Sequence, residues 1–181
     1  TKHLKATVIG TFIMLATYTL FYIMTVYSMT FSTAAVPKGL GFSRNDVLWM
    51  LMMAVIGFGV MVPIAGYLAD KFGRRKCMIV ITSLMIVFAL AVFQPLLGSG
   101  NPTLVMAFLL IGLSLMGLTF GPMGALLPEL FPTEVRYTGA SFSYNVASIL
   151  GASVAPYIAT WLQANYGLFY VGLYLAAMSA I

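Results

Sequence analysis

Nine Lys or Arg and four Asp or Glu are the only fixed charges in this sequence, and most of them sit in two short strings. One runs Asp70-Lys71-Phe72-Gly73-Arg74-Arg75-Lys76 and the other contains Glu129, Glu134 and Arg136. A guanidinium beside a carboxylate makes a charge-assisted, often two-pronged hydrogen bond, so the chemistry these residues suit is reversible pairing of charges. Catalysis is a poor fit. His3 is the sole histidine, the serines and threonines have no His or Lys partner at depth, and no cluster has metal-ligand spacing. Cys77 is the one cysteine, which excludes an internal disulfide. Neither a metal nor a cofactor is expected, and the chain reads as no enzyme.

The elements that must position those charges are legible from where charge is missing. Hydrophobic residues make up 61% of the sequence, charged residues 7%, and mean hydropathy is +1.01. A soluble domain has no means of hiding so much apolar surface. The stretches Ala6–Pro37, Val47–Ala69, Cys77–Pro128 and Tyr137–Ile181 carry no charge. Roughly 20 helical residues cross a hydrocarbon layer of about 30 Å, so the last two stretches must each turn once. Gly98-Ser99-Gly100-Asn101-Pro102 and Gln163-Ala164-Asn165-Tyr166-Gly167 supply the breakers. The expectation is an all-α membrane protein with spans near 6–34, 47–69, 77–97, 103–127 and 139–161, and a truncated sixth over 168–181. No signal-peptide pattern precedes Lys2, and the unfinished sixth span reads as part of a longer polypeptide.

Net charge is +5, and its distribution points to a lipid surface and not to nucleic acid. Counting loops alternately puts Lys2, Lys5, Lys71, Arg74, Arg75, Lys76 and Arg136 on one side and only Lys38 and Arg44 on the other. The positive-inside rule makes the first side cytoplasmic. The N-terminal end is therefore expected inside, with the loops near 36–46, 98–102 and 162–167 outside.

In the first charged string, Gly66 suits close approach of a neighbouring helix and Gly73 a left-handed backbone at a tight reversal. Asp70 can accept from exposed helix N-terminal amides. In the second, Pro128-Glu129-Leu130-Phe131-Pro132-Thr133-Glu134-Val135-Arg136-Tyr137-Thr138-Gly139, the two prolines read as ending one helix and Thr138 as capping the next. Glu129 is expected to pair with Arg74.

Gly66-x-x-x-Asp70-Lys71-x-Gly73-Arg74-Arg75 resembles the loop signature of the major facilitator superfamily, and Pro128–Gly139 resembles that superfamily too. Tyr137–Pro156 is similar to its metabolite:proton symporter branch, which carries shikimate, dicarboxylates, citrate, proline or betaine; Leu150-Gly151-Ala152 departs from that pattern. The resemblance implies the C-terminal six-helix half of a transporter built from inverted repeats, with the N-terminal half absent from residues 1–181. It implies alternating access in a bacterial inner membrane, with a small-molecule substrate and protons as partners. Asp70 and Arg136 would then hold the gate between the halves, with Gly66, Gly73, Arg75 and Glu134 in the same gating loops. Readings from other classes are a sugar or drug carrier of the same superfamily, and a channel or structural membrane protein.

Two polar faces complete the set of candidates. Tyr18, Tyr22 and Thr25 share one face of the first span, and Ser141, Asn145 and Ser148 one face of the fifth. Facing a cavity they would hydrogen-bond a polar substrate; facing a neighbour they would hold helices together. Gly112, Gly117, Gly121 and Gly124, with Pro122, mark the fourth span for close packing or bending. No Asp, Glu, Lys, Arg or His lies deep in any span, so proton coupling would need a carboxylate from the other half.

Overall fold

The computed structural model describes residues 4–180, and Lys2 and His3 lie outside them. The described residues form six helices and no strand. Five are long and apolar enough to cross a membrane: α1 (Leu4–Thr33), α2 (Arg44–Phe72), α3 (Arg74–Leu97), α4 (Pro102–Glu129) and α5 (Arg136–Tyr166). The sixth, α6 (Leu168–Ala180), is shorter.

Most helices outrun the spans expected from hydropathy. α2 begins at Arg44 and not near 47, α3 at Arg74 and not at 77, and α5 covers Arg136–Tyr166 and not 139–161. The charge-free run marks only the hydrocarbon crossing, whereas intrahelical hydrogen bonding continues into the interface where charged side chains are solvated. Gln163–Tyr166 therefore stays helical, and the break falls on Gly167, with φ 97°, whose N–H closes onto Leu162 and Gln163. Pro128 lies inside the last turn of α4 and does not end it. Thr138 is the third residue of α5, whose start at Val135 has no side-chain cap. Between α3 and α4 the breaker behaves as read: Asn101 accepts from the Thr103 amide at 2.9 Å and Pro102 opens α4.

Three helices widen for one turn into π geometry, at Ile23–Tyr27 in α1, Phe88–Val92 in α3 and Leu150–Val154 in α5. Pro95 and Pro156 follow the latter two, where a missing N–H leaves the carbonyl four residues back without its usual donor. In α1 no proline is involved, and the Ser28 hydroxyl donates to the Ile23 carbonyl at 2.8 Å across the widened turn.

The packing has a concealed regularity. α2 lies mainly along α4 and α1 along α5; α3 meets α6, α1 meets α4, α3 meets α4 and α1 meets α6. The remaining substantial contacts are α2 with α3, α5 with α6, α1 with α2 and α4 with α5. Exchanging α1 with α4, α2 with α5 and α3 with α6 maps this whole pattern onto itself. Since α1 and α4 start at opposite ends of the bundle, the two three-helix units are related by an inverted repeat.

Lipid offers helices no hydrophobic reward for associating, so close contact must come from fit. The α2–α4 seam achieves it with small residues. A Cβ on Gly117 would lie 2.5 Å from the Phe58 carbonyl oxygen, and one on Gly121 would meet the Val62 carbonyl. Gly66 differs from its expected role, because a Cβ there would meet nothing; the close approach is made by Gly121 toward the Gly66 backbone. Gly124 also has open space beside it. Behind the seam, Phe88, Phe93 and Phe108 join α3 to α4 with ring centroids 5.0 to 6.5 Å apart. The outward side of α2 carries Trp49, Met52 and Ile56, each 59 to 61% exposed, an apolar surface suited to lipid or protein.

Candidate functional site

At the end of the bundle where α2, α3 and α4 meet, the sparse charges converge. α2 ends with Asp70 one turn before its last residue, Gly73 reverses the chain with φ 91°, and α3 opens on Arg74. With no Cβ, glycine takes this positive φ without penalty, which allows two long helices to be joined by a single residue. The Arg74 guanidinium then reaches both ways. Its Nη2 lies 3.5 Å from Asp70 Oδ1, and its Nη1 donates to Glu129 Oε1 at the end of α4. One cation thus ties the ends of three helices. Asp70 accepts from this side chain, and no helix N-terminal amide among the described residues donates to it. The Asp70 side chain remains 74% exposed and that of Glu129 57%, so the cluster is open to water and salt.

The other charged candidates stand apart. Arg75 is exposed and lines a largely apolar groove with Ile9, Phe12 and Met78. Glu134 is exposed in the loop before α5. Arg136 donates from Nε to the Phe131 carbonyl at 3.4 Å. Phe131 itself is 2% exposed and its ring fills the space that a side chain on Gly139 would need. The second string is therefore anchored by an aromatic plug, which the sequence reading missed although Phe131 is its one bulky residue between prolines. Lys71 is held over the rings of Tyr67 and Phe72, 5.9 and 5.5 Å from their centroids.

The two polar faces meet along the α1–α5 contact. Tyr18 stacks on Tyr22 at 6.4 Å and meets the edge of Tyr144 at 5.4 Å, and its hydroxyl interacts with those of Tyr144 and Ser148. Ser141, Tyr144 and Asn145 border a cleft of about 290 Å³ between α4 and α5, with Gly124 and Pro128 opposite. The Asn145 amide donates to Ser141 O at 2.7 Å and the Thr25 hydroxyl to Phe21 O at 2.7 Å, both within their own helices. These groups are half-buried or exposed, whereas the bond that joins the two helices is made by Ser143, fully buried, donating to Thr7 O at 3.2 Å. Tyr144 and Ser143 were missed by the sequence reading; Tyr144 follows Ser141 by three residues and was findable on that spacing.

Taken together, apolar helices of membrane length, an inverted six-helix pattern and a charged clasp at one end define a multi-pass membrane protein of transporter type. The family model of the Major Facilitator Superfamily matches residues 7–181, and the chain belongs to that family. That membership places it among transport proteins and not enzymes. Over 181 residues it is 83% identical to the inner membrane metabolite transport protein YhjE of Escherichia coli (strain K12), covering 100% of this chain and 41% of the relative. A putative metabolite transport protein of Haemophilus influenzae is 52% identical over 97% of this chain and 42% of its own length. The citrate-proton symporter of Klebsiella pneumoniae is 33% identical over 87% of this chain and 35% of its own length. The chain thus spans about two fifths of the length of the first two relatives. No solved structure matches it at a significant level.

Proposed function

We propose that these residues form the C-terminal half of a secondary transporter that carries a small organic acid or zwitterion across the inner membrane by alternating access, in symport with protons. The observation that carries this reading is the clasp of Asp70, Arg74 and Glu129 at one end of an inverted-repeat bundle. A fixed pairing there keeps α2, α3 and α4 moving as one body, which a rocking half requires. The half-exposed face of Tyr18, Tyr22, Asn145, Ser141 and Ser148 would supply neutral hydrogen-bonding groups and aromatic wall to a cavity shared with the other half. Thr25 spends its hydroxyl on its own helix and would add only shape. Asp70 and Arg136, exposed at the clasp end, would make the contacts to the partner half that open and close the gate. Metabolite transport in the names of the relatives, and proton symport in one of them, support the substrate class and coupling. The clasp end would face the cytoplasm because it bears most of the basic residues.

The direct test is uptake by the intact protein in proteoliposomes, using labelled citrate, succinate, shikimate, proline, betaine and glucose, with and without an inward proton gradient. Gradient-stimulated uptake of an acid or zwitterion is expected. Uptake of glucose alone, or uptake indifferent to the gradient, would overturn the symport reading.

A further inference from the structure

At the end of the bundle opposite the clasp, α1 and α5 diverge around a cavity of about 320 Å³ bordered by Tyr27, Thr30, Phe31, Lys38, Thr160 and Gln163. Its polar groups are not equivalent. Thr30 and Thr160 donate their hydroxyls to Val26 O and Pro156 O of their own helices, at 2.9 and 2.8 Å. Gln163 donates one amide hydrogen to the Lys38 carbonyl at 2.9 Å, which ties the loop after α1 to the last turns of α5. That leaves two donors uncommitted. The Lys38 ammonium forms no ion pair among the described residues, and no acidic side chain borders the cavity. The Tyr27 hydroxyl is buried without a hydrogen-bond partner, in a residue only 1% exposed.

Leaving such a hydroxyl unpaired in a protein interior is costly, so its position calls for an acceptor. The π turn ending at Tyr27 carries its side chain to this place, and Phe31 stacks on the ring at 6.1 Å. The Lys38 loop is held in register by amides of Leu40, Gly41 and Phe42 donating to Phe31, Ala34 and Ser32 at 3.2, 2.8 and 2.8 Å. A cation at the mouth, a neutral donor at depth and aromatic wall between them suit a small organic molecule ending in a carboxylate. From this geometry we infer a carboxylate-binding site between α1 and α5, with Lys38 and Tyr27 as its anion-holding donors, on the external side in the orientation proposed above. It is remote from the Tyr18–Asn145 face and would hold solute before or beside the transport cavity.

The site is tested in the intact protein carrying Ala164→Cys, since Ala164 borders the same cavity. Purified protein in nanodiscs, open from both sides, is labelled with a maleimide in the presence of succinate or of succinamide, its uncharged counterpart. Succinate is expected to slow labelling and succinamide is not. Lys38→Gln should weaken that protection about tenfold and Tyr27→Phe about fivefold, the sizes of a lost charged and a lost neutral hydrogen bond. Tyr27→Phe keeps the ring and removes only the unpaired hydroxyl, so the variant should be no less stable to heat. Equal protection by the two compounds, absence of protection, or protection unchanged in both variants would overturn the site. Uptake measured in parallel separates the two ideas: protection without uptake sinks the transport reading alone, and uptake without protection sinks this site alone.

Discussion

Arg74 answers to two carboxylates on two different helices, and the consequences of altering it follow from that geometry. Arg74→Glu would place three like charges together, and Glu129→Arg two cations beside one carboxylate. Either change should reduce uptake by the intact protein, while the double exchange should recover most of it, because a carboxylate on α3 and a guanidinium on α4 remake the bond. Failure of the double exchange to recover transport above either single variant, at equal membrane expression, would sink the clasp. Arg74→Lys should recover less than the wild-type arrangement, since an ammonium lacks the planar fork that reaches both partners. The Arg74–Glu129 pair was legible in the sequence because a lipid-embedded chain has few charges, and those few must find one another at the helix ends. The roles of Thr138 and Gly66 were not legible. Both depend on where a helix starts or on which side of it a neighbour lies, and neither is encoded in the residue alone.

Helix against helix, the seam between α2 and α4 decides stability. Gly117→Ala forces a methyl group toward a backbone carbonyl that has no room to move, at a cost of about 1–3 kcal/mol for overpacking. Its unfolding temperature in detergent should fall, whereas Gly66→Ala and Gly124→Ala, whose new methyls meet nothing, should be neutral or slightly stabilising. An equal loss at Gly66 would contradict the packing described. For the α5 face, Asn145→Ala should leave expression and thermal unfolding unchanged, because the Asn145 amide bonds only within its own helix. A shift in apparent substrate affinity would place this face at the cavity; a folding defect with unchanged affinity would make it interhelical packing. The existence of five long helices was plain from the charge-free stretches, but their ends were not, since hydropathy senses the lipid and not the hydrogen bonds. The π turns carry a partial signal in Pro95 and Pro156, and none at Ile23–Tyr27, where only the tertiary contacts select the wider turn.

For the whole molecule, the orientation can be measured with two positions at opposite ends. Cys77 lies near the clasp, and Lys38→Cys would lie at the far end. In intact cells a membrane-impermeant maleimide should label Lys38→Cys and spare Cys77, with Cys77 becoming reactive once the cells are opened. The reverse result would invert the proposed topology. Such a measurement has unusual weight here because of the exchange symmetry of the helix contacts. A bundle whose packing maps onto itself when turned over gains almost nothing from one direction of insertion over the other. Its interior fixes the shape and leaves the choice of side to a handful of loop cations read during biosynthesis. Relocating Lys71, Arg75 and Lys76 to the Lys38 loop, without touching a buried side chain, should therefore yield the same bundle inserted upside down. Folding and membrane address are, in this chain, separately heritable traits.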